Sequence, residues 1–491
     1  MGKLPLNWAA STLGEICSKP QYGWTCQASK RGTLRIIRTT DISKKQISWD
    51  TVPFCANAPE NIDKYRIKKN DILVSRAGSV GVSYRVDKVP YDAVFASYLI
   101  RFKPKSTINP KYIEYYLMSD DYWKSIFEFS AGIAVPNVNA SKLSDLQIPV
   151  APITEQHRIV AKLEKLLAKV DKCKKRLEKI PAILKRFRQS VLAAACSGKL
   201  TEDWRGRHPG VESAEDLLLK IVKERKSQYH KECENRNKKS IEILTMSKGP
   251  SLESPNETNL PSSWKYILSY DLFSFVTSGS RGWAKYYSKE GAKFIRIGNL
   301  SHSTIDIDLE NIQRIHPPHG SEGNRTRIKE NDILISITAD TGMIGFVQFD
   351  IGEAYVNQHI ALSRPVKGYS AKYLAWFLAS EDGQNQFNAL QRGVTKAGLG
   401  LDDIKGIRVP SPPMEEQHEI VRRVEALFKT ADQVEARHLK AKVQVDKLTQ
   451  SILAKAFRGE LVPQDPNDEP ASELLKRIKA EKAKTITERK I

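Results

Sequence analysis

The sequence predicts a duplicated α/β (α+β) architecture, in which each of two similar globular domains is followed by one long α-helix. Three observations predict it. The 491-residue chain repeats itself at one fixed offset, Gln156 matching Gln417, Leu166 matching Leu427 and Leu200 matching Leu461. Each copy opens with short apolar runs separated by Gly, Pro, Asn and Asp and ends in a proline-rich stop. Each stop is followed by a charged stretch whose apolar residues alternate at helical spacing. A period this long marks a duplicated domain rather than a solenoid.

The first globular part, 1–152, shares its landmarks with the second, 260–413. Leu4-Pro5 and Trp8 recur as Leu260-Pro261 and Trp264, and RIKKNDILVS from Arg66 recurs as RIKENDILIS from Arg327. Strands are expected at Leu34–Arg38, Asp71–Ser75 and Tyr98–Phe102, with counterparts at Phe294–Ile297, Asp332–Ser336 and His359–Leu362. A helix is expected from Asn109-Pro110, with Asn as cap and Pro in the first turn.

The first long helix occupies 153–200. Its apolar residues form two series: Ile159, Leu166, Cys173, Ile180, Phe187 and Ala194, and Leu163, Val170, Leu177, Leu184 and Val191. A straight helix of this length would reach roughly 65–70 Å. It cannot bury its seam alone. The partner is the second long helix, 414–461, whose seam recurs as Ile420, Leu427, Val434, Ala441 and Leu448, and as Val424, Ala431, Val445 and Ile452, with His438 on it. Pro181 stands where the second copy has Lys442. A proline inside a helix costs about 3 kcal/mol, so the first helix should bend or break there and the second run straighter. Both read as struts. Cys173 and Cys196 are expected to be buried thiols.

A short amphipathic helix (AEDLLLKIVKERK) belongs to 201–229, a polar flexible linker to 230–259, and an echo of that helix (ASELLKRIKAEKA) to a basic tail, 462–491.

A formal charge of +21 points to a polyanionic partner, with clusters such as Lys172, Lys174, Lys175 and Arg176, then Lys185, Arg186 and Arg188. A solvated helix face meeting an acidic protein is the alternative. Six cysteines form no CxxC pair, which indicates neither a zinc site nor a disulfide framework and suits a reducing compartment. The start MGKLPLNWAASTLGEIC lacks a signal-peptide apolar region, and no run is long enough to span a bilayer, so a soluble intracellular chain is expected.

Catalytic patterns are missing: no phosphate loop, no dinucleotide fingerprint and no HExxH occur. Asn109-Pro110-Lys111-Tyr112 looks like a degenerate adenine-methyltransferase motif, but Lys111 replaces its second proline and the other copy reads Ser370-Ala371-Lys372-Tyr373. Helix capping accounts for both. His157 and His418 match in register without a nearby second ligand, and Glu155–Glu164 and Glu415–Glu425 read as helix-start charge.

These residues resemble the specificity subunit of type I restriction–modification enzymes. The resemblance covers essentially the whole chain. It rests on the duplication, on Pro149–Gln156 and Pro410–Gln417, on the helix ends FRQSVLAAACSGKLTEDW and LTQSILAKAFRGEL, and on the NDILVS and NDILIS strands with their glycine-containing loops. It implies two target-recognition domains that each contact half of a split, asymmetric double-stranded DNA site. It implies long helices pairing as an antiparallel coiled coil that spaces the domains and docks two modification (methyltransferase) subunits. In the family those subunits use S-adenosylmethionine, and restriction subunits add ATP- and Mg-dependent translocation and cleavage. No cofactor or catalysis is assigned to this chain, and the compartment implied is a bacterial or archaeal cytoplasm.

The two copies agree in framework and differ in loops: RAGSVGVSYR faces ITADTGMIGFVQF, and ASYL faces NQHI. That comparison selects Arg38, Thr39, Thr40, Asp41, Ser75, Arg76, Ser79, Ser97, Tyr98, Asn137 and Asn139 as DNA contacts in the first copy. In the second it selects Arg296, Asn299, Thr338, Asp340, Thr341, Asn357, Gln358, His359, Thr395 and Lys396. Arg grips guanine bidentately, Asn or Gln grips adenine, and Lys mostly meets phosphate. Arg38 and Arg296 have the alternative of pinning a loop from inside. Two other functions fit the sequence: an adenine methyltransferase in its own right, and a structural DNA-binding scaffold without an enzyme partner.

Overall fold

The computed structural model describes the chain except for residues 1–3, 44–45, 131–136, 236–259, 280, 318–320, 392–397 and 489–491. It divides into two compact units, Met1–Glu178 with Leu439–Ile491, and Lys179–His438. Each unit therefore combines one globular domain with helical segments from both copies of the repeat.

In the first unit a two-stranded antiparallel pair, Ala9–Thr12 with Gln147–Val150, closes the domain at its base. One four-stranded antiparallel sheet has the order Gln21–Tyr22, Leu99–Phe102, Ile72–Ser75, Ser83–Arg85. The other runs Ala28–Ser29, Phe54–Cys55, Arg35–Ile37, Ala93–Phe95, with its last pair parallel. The second unit repeats this plan. Lys265–Leu268 pairs with Arg408–Ser411, Phe273–Ser278 opens one sheet and Tyr287–Ser288 opens the other. The expected strands are all present.

The shared NDIL segment turns out to be framework. Asn70 and Asn331 hold left-handed turns at φ 69° and 68°, a conformation that asparagine tolerates better than most residues. The next residue, Asp71 or Asp332, is buried and accepts the N–H of Lys68 (2.9 Å) or Lys329 (2.7 Å). Burial raises both carboxyl pKa values. Arg101 answers Asp71 at 3.4 Å and Arg364 answers Asp332 at 2.7 Å.

The long helices behave as Pro181 and Lys442 predict. The first is interrupted, Ile153–Leu177 then Ile180–Cys196, with Pro181 in the opening turn of the second piece. There its missing N–H costs nothing. The second helix is continuous for 44 residues, Met414–Phe457, about 66 Å.

Within the second unit Arg188 pairs with Asp432 (2.7 Å) and Glu435 (2.9 Å), while Arg423 reaches back to Asp203 (2.5 Å), so the strands of this coil run antiparallel. Within the first unit Lys174 pairs with Asp446 (3.2 Å), and Ile159 and Leu163 share a core with Leu453 and Phe457. The series through Leu163, Val170, Leu184 and Val191 is buried. The other series is not: Cys173 and Phe187 are exposed, against the expectation of a buried thiol at Cys173, whereas Cys196 is buried. Two helices cover only one side of each other, so the middle of this series, at Cys173 and Phe187, stays open to solvent while Ile159 at its start is buried.

Each long helix ends on a glycine in the left-handed region, Gly198 (φ 76°) or Gly459 (φ 75°). A Cβ on Gly198 would lie 2.5 Å from Pro261 Cγ, and one on Gly459 would lie 2.3 Å from Pro5 Cγ. The Leu-Pro landmark and the helix-end landmark are thus two sides of one contact.

Beside it sits a buried carboxylate. Glu155 accepts the Trp8 indole N–H at 2.9 Å and the Gln464 amide at 2.7 Å. Glu416 accepts Trp264 at 2.8 Å, Thr201 at 2.6 Å and the Arg205 guanidinium. Both glutamates lie in the first turn of their helices, as helix-start charge, and are about 1 % exposed or less.

The short helices complete the exchange between copies. Ala214–Asn235 buries Leu217 and Ile221 in the second unit's core, and its Ala214 N–H meets Ser263 O at 3.0 Å. It extends six residues into the stretch expected to be linker. Ala471–Glu488 buries Leu474 and Ile478 against the first domain, with Ala471 N–H on Asn7 O at 2.9 Å.

Candidate nucleic-acid interface

In the first unit a series of backbone hydrogen bonds joins the ends of the central strands. Ala96 N–H donates to Ile37 O (2.8 Å), Arg76 N–H to Tyr98 O (2.9 Å), and Val138 N–H to Arg76 O (3.0 Å). This row brings Arg38, Arg76, Ser97, Tyr98 and Asn137 to one edge of the domain. Tyr98 is 61 % exposed there. Ser79 lies on the turn that leaves the row, and Val82 N–H donates to its carbonyl at 3.1 Å.

The second unit builds the same row from different side chains. Asn357 N–H donates to Ile295 O (3.1 Å), Ile337 N–H to His359 O (2.9 Å) and Leu399 N–H to Ile337 O (2.9 Å). Thr338 Oγ1 and His359 Nδ1 are 2.6 Å apart, and Gln358 Nε2 lies 3.1 Å from His359 Nε2. His302 Nε2 meets Asp340 Oδ1 at 2.8 Å. Arg296, Asn299, Asp308, Asn311 and Asn357 line a cleft beside this row.

Several selected residues serve the frame instead of facing outward. Arg38 closes on Asp41 with Nε and Nη2 each donating at 3.0 Å, while its own backbone N–H also donates to Asp41 at 2.8 Å. That is the loop-pinning alternative. The same turn holds Thr39, half-buried, and Thr40, exposed. Ser75 is buried with its hydroxyl on Ala77 O (2.9 Å), and Ser336 does the same with Asp340 O (2.7 Å). Asn139 caps the helix Ala140–Ser144 through Lys142 N–H at 2.8 Å. Asn299 accepts Arg296 N–H (2.9 Å) and donates to Asp308 O (2.9 Å), so Arg296 is tied to this loop by its backbone. Asn357 accepts His359 N–H (3.2 Å), and buried Thr341 accepts from Gln391. Thr395 and Lys396 lie outside the described residues.

One residue of this edge was not selected by the sequence comparison. Tyr22 lies under Arg76, with the guanidinium carbon 5.0 Å from the ring centroid, and its hydroxyl accepts Ala140 N–H at 3.0 Å. Its placement in an aromatic run with glycine, Gln21-Tyr22-Gly23-Trp24, was the available signal.

The methyltransferase-like segment is occupied structurally. Asn109 Oδ1 caps the helix at Lys111 N–H (3.0 Å), and buried Tyr112 donates to Pro149 O (2.7 Å). His157 is exposed and meets only the Asn109 amide, at 3.0 Å, among the described residues.

Comparison with known proteins agrees with this geometry. The family described as the type I restriction modification DNA specificity domain matches residues 5–182 and 261–445. The type I restriction enzyme EcoKI specificity subunit of Escherichia coli strain K12 is 30 % identical over 98 % of this chain and 97 % of its own. The EcoBI specificity subunit of Escherichia coli is 33 % identical over 74 % of this chain and 70 % of its own. The HsdS subunit from Thermoanaerobacter tengcongensis superposes with a TM-score of 0.56 at 16 % identity, over 93 % of this chain and 98 % of that one. A further chain, from a study of complex assembly and conformational transition of the type I R-M system, gives 0.62 at 16 %, over 94 % and 100 %. No described helix is long and apolar enough to cross a membrane. Matched by the family model over most of its length and by specificity subunits over nearly all of it, this chain belongs to the type I restriction–modification specificity family, as a non-catalytic DNA-recognition subunit.

Proposed function

We propose that the two domains read the two unlike halves of one split DNA target. The chain works within a complex of two modification subunits, which supply S-adenosylmethionine-dependent adenine methylation, and restriction subunits, which use ATP and Mg. One observation carries the reading: equal backbone positions in the two rows present unlike side chains, Arg76 and Tyr98 in one and Ile337 and His359 in the other. A common frame with exchanged edge chemistry is what two different half-sites require. Non-identical halves at fixed separation also suit a stiff helical spacer.

Docking of the modification subunits is supported by exposed apolar residues on the long helices. Ile183 and Phe187 are 52 % and 37 % exposed, and Val443 and Leu448 are 56 % and 43 % exposed.

The test is an exchange of residues 1–152 for those of a relative, in cells carrying the modification subunits, followed by mapping of methylated adenines. One half of the methylated motif should change while the other half and the gap stay constant. A motif that changes in both halves, or in neither, would overturn the assignment.

A further inference from the structure

We infer that Arg76, seated on Tyr22 and flanked by Asn137, selects a guanine in the half-site read by the first domain, and that the second domain has no such reader at the matching place. The inference rests on the DNA-reading function proposed above and assigns one base to one side chain.

The backbone of Arg76 is fixed on both sides, by Tyr98 O and by Val138 N–H, so its Cα cannot drift. An isolated bridge links the adjoining Ala77 and Asn137. The guanidinium is held over Tyr22, whose strand pairs Tyr22 with Ile100 and whose hydroxyl is anchored to Ala140. Such stacking fixes the plane of the cation while leaving its edge donors available.

Three other arginines of this domain are closed by carboxylates. Arg38 faces Asp41, Arg85 faces Glu114 at 2.6 Å, and Arg101 faces Asp71. Arg76 forms no ion pair with a described residue, and because its Nε is buried, the fork it can offer is that of its two terminal Nη nitrogens. The Oδ1 of Asn137 is buried without a hydrogen-bond partner. A planar donor fork held by stacking and without an anionic partner among the described residues is an incomplete site. Guanine fits it, because O6 and N7 offer two acceptors side by side in the major groove.

The duplicated frame shows that the cation is not there for the fold. Ile337 makes the same two backbone hydrogen bonds, to His359 O and from Leu399 N–H. Ser278, paired with Ala361 as Tyr22 is with Ile100, takes the place of the aromatic ring, and Gly398 takes the place of Asn137. The second domain thus folds around an apolar residue at this point.

The test uses the chain assembled with its modification subunits and a fluorescent duplex carrying the mapped motif. Arg76→Ile installs the residue that the same frame already accommodates. It should weaken binding by about 5- to 150-fold at one guanine position of the first half-site, leaving discrimination in the second half unchanged. Replacing that guanine with 7-deazaguanine, which removes N7, should weaken the unaltered complex and have little further effect on the variant. A uniform loss across all sequences would make Arg76 a phosphate contact and overturn the inference, as would a first half-site without guanine. If the unaltered complex shows no sequence preference at all, the DNA-reading function itself fails. A specific complex whose preferences survive Arg76→Ile removes only the guanine assignment.

Discussion

The two buried glutamates make a controlled comparison, because the same frame position meets different donors. At Glu416 three donors converge: Trp264 on one oxygen, Thr201 and the Arg205 guanidinium on the other. Glu416→Gln leaves one acceptor. If its carbonyl faces Arg205 and Thr201, its amide confronts the buried Trp264 N–H, and an unsatisfied donor of that kind costs about 1–3 kcal/mol. The Arg205 bond also falls from charge-assisted to neutral, about 1 kcal/mol more. The sum is about 2–4 kcal/mol, and roughly 2–4 °C per kcal/mol in a unit of this size gives a Tm loss of about 5–15 °C.

At Glu155 the donors are Trp8 and Gln464, both neutral. Glu155→Gln can keep its carbonyl on Trp8 and meet a turned Gln464 amide, at the expense of the weaker Gln464 bond to Gly459 O at 3.2 Å. Its cost should stay within about 1 kcal/mol. Burial also raises the pKa of Glu155, so removing its charge relieves a penalty. Calorimetry of the two single variants reads the difference directly. Equal losses, or a larger loss at Glu155, would refute the claim that Arg205 makes the second site ionic and the first one polar.

Two further outcomes follow from the same packing. Gly459→Ala places a side chain in a left-handed residue and against Pro5, so the first unit should lose about 2–4 kcal/mol in urea unfolding; a loss below about 1 kcal/mol would mean the helix end is not tightly seated. Arg422 and then Arg423 hold the Glu419 carboxyl at about 2, below its ordinary 4.5. Its stabilisation is complete above about 4.5 and lost as pH falls toward 2, so Glu419→Gln should flatten the acid side of the Tm–pH curve and leave the neutral side nearly parallel.

What the sequence made legible was whatever depends on neighbours along the chain. Pro181 announced the interruption between Leu177 and Ile180 because its ring and missing N–H act within one turn. Asn109 announced a cap for the same reason. The Arg38–Asp41 pair is equally local and was open to reading as a closed turn. By contrast Glu155 meets a tryptophan 147 residues away, and no periodicity encodes that contact. Cys173 satisfied the heptad pattern yet lies exposed, because the pattern records an apolar series and not the number of helices available to cover it. The candidate contacts were legible as a region, since loop divergence between copies marks the edge of the frame. Which of them face outward was not, because partners such as Gln391 for Thr341 or Tyr22 for Arg76 are brought by the fold from about 50 residues away.

The division of the chain into units has a consequence for its birth on the ribosome. Residues 179–438 form an uninterrupted stretch, so every part of the second unit is in hand once that stretch has emerged. The first unit, though begun earlier, waits for residues 439–491 before Leu453, Phe457 and Leu474 can close its core. During that interval the apolar faces around Tyr112 and Tyr116 lack their cover, and exposed surfaces of this kind are where nascent chains associate wrongly. The half synthesised first is the half finished last.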